Sequence, residues 1–346
     1  MATANTLTGG GTMLDAAKRI GADGQQLMVV DVLSSQTFMQ DAFWVEANDF
    51  TTHHYMQTLS EPTGTDTVIN QGIVWEIGTE RPVTEIIQGL ESYSKIDARI
   101  LADEPDPVGY RRAKDVECVN GLRKSVDDRI LYGGTSVHVA GGSSAVSPYQ
   151  ITGLHPRFNK ISGITYNQLQ GTQYWLPNVV SAAGSTANVQ SSVWVVKWGK
   201  DGLFMTYPRS GRGFIDVKPR PDTTIILDSS NNPYEIEITH FSIKFGLCVG
   251  DWRNVLRMCN INKATDSKPW TSDLMISLLA VLPDTDWTGL VLYVNRTVWQ
   301  QILLEAKNDS NVFHFDEAPW GTKTPYFMGI PIKPVDRIAS TEPVIS

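Results

Sequence analysis

The chain has little of the chemistry that marks an enzyme. Its 346 residues contain no GxxxxGK(S/T) phosphate loop, no GxGxxG after a strand, no HExxH and no GxSxG elbow. Cysteine is scarce. Cys118, Cys248 and Cys259 are odd in number and unrelated in spacing, which excludes a disulfide framework or a zinc ligand set and leaves three small buried hydrophobes. No run approaches the roughly 20 apolar residues of a membrane span. The opening MATANTLTGGGTMLDAAKRI lacks a basic region followed by an apolar one, so synthesis in a cytoplasm is expected. Positive charge is also short: the formal net charge is −8 and the pI about 5.3, which excludes a strongly basic nucleic-acid binder. Residues 20–94 contain no lysine, and Arg81 is the one unambiguous cation in 46–94. His53 and His54 are neighbours that a strand would turn to opposite faces, so no metal is expected there, and no cofactor elsewhere. Asp251 and Arg253 with Arg257 read as a buried structural ion pair, since nothing beside them resembles a nucleophile or base.

What is present is extended structure, one long helix and aromatic surface. From Tyr234 to Ile261 the pattern predicts a single long extended element. Tyr234, Ile236 and Ile238 alternate with polar residues, the parity slips at Thr239-His240, and Phe241, Ile243, Phe245, Leu247 and Val249 resume on the other phase. A slip of one residue flips the buried face unless a bulge absorbs it. Strands are usually about five or six residues long, so this element suits an elongated or assembly-forming protein. Residues 46–94 read as one or more β-hairpins standing off a body, with Ile73, Trp75 and Ile77 alternating as a strand before Gly78 and 84–87 extended again. Pro105-Asp106-Pro107 then opens a helix with Asp106 as N-cap, running to about Tyr132, where Gly133-Gly134 stops it. Ala113, Val116, Val119, Leu122, Val126 and Ile130 form its apolar stripe, and about 25 residues span roughly 38 Å.

Upstream, 13–19 and 25–39 read as helices. Residues 133–150 form a Gly- and Ser-rich loop and a candidate domain boundary. Downstream, 193–198 and 203–207 suggest a hairpin around Lys200-Asp201-Gly202. Residues 272–282 and 297–308 are predicted helices, with 290–294 and 330–338 extended. Strands and helices interleave irregularly, which is α+β. Ten tryptophans are present. Most belong in a core, but Trp44 and Trp75 fall in arm-like segments and are expected to bury against a neighbour.

Taken in order, a set of segments resembles the major capsid proteins of tailed double-stranded DNA phages, of the short-tailed epsilon-fifteen type. They are MLDAAKR, FWVEAND ending at Asp49, VINQGIVWEIGTERPVTE at 68–85, ILYGG, GLHPRFN at 153–159, SSVWVVKWG, HFSIKFGLCVGDWRNVLRMCNIN, LYVNRTVW and GIPIKPVDRI. None is a catalytic signature; order and near-complete coverage carry the likeness. The resemblance implies an α+β Hong Kong 97 type capsid fold. Its parts would be an N-terminal arm (1–45), an extended E-loop hairpin (46–95), and a peripheral domain (96–150) with a spine helix at 107–132. An axial domain would follow in 151–346, together with returning peripheral strands that include the ribbon 234–261.

The implied protein is a self-assembling subunit of hexamers and pentamers in an icosahedral virion shell, not an enzyme. The shell would enclose double-stranded DNA without sequence-specific binding. Its partners would be itself, a scaffolding protein, a portal and a decoration protein, and it would assemble in a bacterial cytoplasm through a procapsid. Some shells of this fold crosslink through an E-loop lysine, which the lysine-free 20–94 cannot supply. Glu80 and Arg81, near the hairpin turn, are expected to pair with opposite charges on a neighbouring subunit. An encapsulin-like nanocompartment shell is the alternative within the fold. A β-rich sugar-binding protein or hydrolase is the alternative of another class.

Overall fold

The computed structural model describes residues 38–345 except Val74 and the segments 135–149, 162–163, 168–172, 177, 210–214, 220–222, 264–268, 284–286, 307–312 and 318–322. The helix expected at 13–19, nearly all of the one expected at 25–39, and most of the loop 133–150 lie outside the described residues. Contacts divide the chain into two compact units. One draws on 89–124 and 212–244, the other on 35–88, 125–211 and 245–346. The helix Pro107–Tyr132 and the strand Pro233–Val249 contribute residues to both.

In the first unit the helix starts where local chemistry dictates. The Asp106 carboxylate accepts from the Gly109 N–H at 2.9 Å, and Pro107 takes the first helical position, where no N–H is needed. The expected apolar stripe holds only toward the C-terminal end, with Leu122, Val126 and Ile130 buried and Val116 half-exposed. In the N-terminal half, Tyr110 packs with Ile96, Ile100 and Leu101, and Arg111 turns inward to Glu237 and to the Thr239 hydroxyl at 3.0 Å. A polar buried face has the same composition as a solvated one, so periodicity does not reveal it.

The long strand pairs here with Ile215–Pro219 and Thr224–Leu227, both antiparallel, and with Gln88–Asp97. Its burial passes from Ile236 to Thr239, Phe241 and Ile243. The parity slip therefore lies at 237–238, earlier than the side-chain pattern places it. It falls where pairing passes from 224–227 to 215–219.

The second unit holds a seven-stranded sheet in the order 313–317, 323–327, 330–334, 290–294, 190–197, 255–262, 179–181. Helices Ser272–Leu279 and Arg296–Ala306 bring Met275, Leu278, Val298 and Ile302 into its core. Two expectations fail here. The strand of 193–198 does not form a hairpin with 203–207. Gln190–Lys197 lies in the seven-stranded sheet, whereas Leu203–Tyr207 pairs with Gly246–Val249 and, in parallel, with Trp44–Glu46. The long element also ends early, at Val249. Asp251 accepts from the Arg253 N–H at 2.9 Å in the turn Trp252–Asn254, and a new strand, Val255–Asn262, enters the other sheet. Both strands are apolar across the break, so only Gly250-Asp251 marks it.

The expected ion pair is corrected as well. Asp251 pairs with Arg253 at 2.6 Å, partly exposed, while Arg257 pairs at 2.8 Å with Glu342, and the side chains of Arg257 and Glu342 are fully buried. Arg257 also donates to the Phe158 carbonyl (2.7 Å) and the Ser192 hydroxyl (2.9 Å), and its guanidinium lies 4.7 Å from the Trp194 ring centre. Glu342 accepts from Ser192 and from the Tyr132 hydroxyl (2.6 Å). A buried charge is tolerated when it is paired and its remaining hydrogen-bonding sites are filled, as here.

Candidate assembly surface

The lysine-free segment forms a two-stranded hairpin, Thr52–Ser60 with Thr79–Ile86 antiparallel, and the register shifts between Thr58 and Ser60. A ladder of two strands leaves an outer edge, which is where Pro82 can sit without forfeiting a bond. Polar contacts fix its base. The Tyr55 hydroxyl donates to the Val249 carbonyl and the Gln57 amide to the Gly250 carbonyl, each at 2.9 Å. Arg157 grips the Glu85 carboxylate with two bonds, 2.6 and 2.8 Å, the planar fork-to-fork geometry that makes such pairs strong. Burial, with the Glu85 charge adding to it, pushes the Tyr55 hydroxyl well above its ordinary pKa. Burial likewise raises Cys248 to about 12, so this thiol stays protonated and inert.

Beyond the base the ladder stops. The strand expected from Ile73, Trp75 and Ile77 is absent: between Ser60 and Thr79 no strand is present among the described residues. Ile69 is 91% exposed, Trp75 96% and Ile77 91%, with Val68 and Ile73 more than half exposed. Asn70 supplies a left-handed turn (φ 68°) at the end of the loop. The Glu76 carboxylate accepts from the Thr63 N–H (3.0 Å), the Thr63 hydroxyl (3.1 Å) and the Gly64 N–H (3.1 Å). These donors hold its pKa below the usual carboxylate range. Five large apolar side chains therefore stand in water on one loop, an unusual concentration of exposed apolar surface for a single chain.

Of the sequence-derived site residues, Trp75, Glu80 and Arg81 share this hairpin. Glu80 and Arg81 are exposed, and Arg81 donates to the Gln57 side chain at 2.7 Å. Trp44 stands apart, half-buried on the strand beside Leu203–Tyr207. Sequence reading missed Val68, Ile69, Ile73 and Ile77 as surface, because their alternation imitates a strand. Charge is concentrated here too. Glu46, Asp49, Glu61, Asp66, Glu76, Glu80, Glu85 and Glu91 face one arginine within 46–94, so this stretch carries most of the net −8. Among the described residues no three His, Cys, Asp or Glu side chains cluster as metal ligands. No described helix is long and apolar enough to cross a membrane.

A long helix, a long strand shared by two units, a broad mixed sheet and an apolar-tipped hairpin together define a class: the shell subunits of Hong Kong 97 type. The chain is similar to a chain of the bacteriophage Epsilon15 structure, with 21% identity, 99% of each chain covered and a TM-score of 0.66. Residues 21–346 match the family described as major capsid protein GP7, and the chain belongs to that family. It is thus a major capsid protein, a structural component of a virion shell and not an enzyme. Weaker likenesses are to the bacteriophage JBD30 capsid (10% identity, 88% of this chain and 92% of that one, TM-score 0.48) and the SrpI encapsulin of Synechococcus elongatus (10%, 71% and 95%, 0.40). Comparison with curated proteins gave no match.

Proposed function

We propose that the subunit builds the hexamers and pentamers of its shell by seating the hairpin tip, 61–78, on a neighbouring copy. The observation that carries this is the exposure of Ile69, Trp75 and Ile77 on a loop whose base is bolted down. Aromatic and aliphatic anchors of this kind dominate binding energy once buried, and repeated contacts around a closed ring add through multivalency. The acidic hairpin favours a neighbour's basic surface, and Glu80 and Arg81 are proposed to pair across that contact.

In this reading 1–45 is the N-terminal arm, 46–95 the E-loop, 96–150 the peripheral domain, and 151–346 the axial domain with returning peripheral strands. The joint clustering of 89–124 with 212–244 supports assigning strands 215–219, 224–227 and the first part of 233–249 to the peripheral domain. The shell would assemble in the bacterial cytoplasm as a procapsid, with a scaffolding protein, a portal and a decoration protein, and mature around double-stranded DNA. The net acidic charge supports a wall that does not hold the genome tightly.

Sedimentation of the purified chain, with and without the scaffolding protein, followed by electron microscopy of the fast fraction, tests this. Wild type is expected to give capsomers or closed shells. Trp75→Ser with Ile77→Ser is expected to stay folded by circular dichroism yet remain slow-sedimenting, and Arg81→Glu to lower shell yield. Wild-type yield from the double variant would remove the tip from the assembly surface.

A further inference from the structure

We propose that Glu76 is a positioning residue of the assembly surface: its carboxylate clasps the two limbs of the hairpin tip and so presents Trp75 and Ile77 outward to a second copy of this chain. The proposal rests on the docking reading above and names the residue that prepares the surface.

The geometry is specific. Thr63 and Gly64 lie on the outgoing limb, and Glu76 on the returning limb, 12 to 13 residues later. Three donors converge on one oxygen, Glu76 Oε2. The ladder of the hairpin ends at Ser60 and Thr79, so strand pairing does not hold the limbs at this level. The loop otherwise holds Gly64, Gly72 and Gly78, residues that leave a chain many conformations. Hydrogen bonds to an ionised acceptor are roughly twice as strong as neutral ones. The lowered pKa of the carboxyl agrees with donors aimed at its charged form.

Position does the rest. Trp75 and Ile77 flank Glu76 directly. With Glu76 turned onto Thr63 and Gly64, both neighbours remain in solvent. An unclasped tip could gather its own apolar side chains together, and each docking event would then have to reorder it, a cost that preorganisation removes. Charge supports a second copy as the partner: eight acidic residues face one arginine within 46–94, and 28 of the chain's 29 lysines and arginines lie outside that stretch, available in a neighbouring copy.

Hydrogen exchange on the unassembled full-length chain tests the clasp, and shell formation tests its purpose. Glu76→Ala is expected to speed exchange at the Thr63 and Gly64 amides several-fold, with strands 52–60 and 79–86 unchanged. The concentration needed for shells should rise by a similar factor. Glu76→Gln, which keeps an acceptor oxygen without the charge, should fall between. Unchanged exchange in Glu76→Ala overturns the clasp. Faster exchange with wild-type assembly overturns the positioning role. A wild-type chain that never forms shells overturns the docking reading beneath the proposal, whatever the exchange rates.

Discussion

His155 shows how a single side chain couples this fold to pH. It is 6% exposed, and its ring lies 5.6 Å from that of Tyr132. Burial first, and then the positive charge of Arg257, lower its pKa to about 4. The folded chain therefore keeps the imidazole neutral, whereas the unfolded chain takes up a proton near pH 6.5. The sign follows: the stabilisation is complete above about pH 6.5 and is lost as pH falls toward 4, by up to about 3 kcal/mol. Denaturant midpoints of the unassembled chain should drop between pH 7 and 4.5, and His155→Leu should flatten that drop. Parallel pH slopes for the two proteins would sink the idea. At this scale the sequence is legible only where the partners are local. Asp106 caps a helix three residues away and can be read directly. Arg257 reads as an ion-pair former, but Glu342 lies 85 residues distant and nothing near either residue announces the other.

Elements are legible where one face is apolar and the other wet, and misleading elsewhere. The long helix follows from its caps and the existence of a hairpin from composition, although its strands lie at 52–60 and 79–86 and not at 73–77. The alternation of Ile73, Trp75 and Ile77 follows the same rule yet signals an exposed loop, because period two records facing and not whether the common face meets a core or a partner. The strand 203–207 leaves its sequence neighbour for a different sheet, a choice that lies outside its own residues. The anchoring of the hairpin is likewise tertiary. Glu85 and Arg157 are 72 residues apart and meet with two short bonds. Arg157→Ala should loosen the base and raise limited proteolysis within 52–86 about tenfold, as expected from losing a charged hydrogen-bonded pair of roughly 1.5–3 kcal/mol. The charge swap Glu85→Arg with Arg157→Glu should recover part of the protection. Cleavage rates unchanged by Arg157→Ala would mean the hairpin is held by its other contacts alone.

For the whole molecule, composition limits how a shell of this chain can be held together. Residues 20–94 contain no lysine, so the hairpin has no amine to form an isopeptide bond with a neighbour's asparagine. We propose a shell resting on non-covalent contacts or on a decoration protein. Mature particles dissolved in denaturant should run as one band at the monomer mass of 38.3 kDa, and a ladder of covalent oligomers would refute this. Family, fold class, the capped long helix, the lysine-free hairpin and the absence of catalytic motifs were all set by the sequence alone, since each depends on residue type, short spacing or segment order. The tertiary structure decided which strands share a sheet, where the long strand breaks at Gly250-Asp251, how Arg257 is neutralised by Glu342, and that the hairpin tip leaves Ile69, Trp75 and Ile77 in water. Those outcomes turn on contacts between residues far apart in the chain, whose free energies no local window contains.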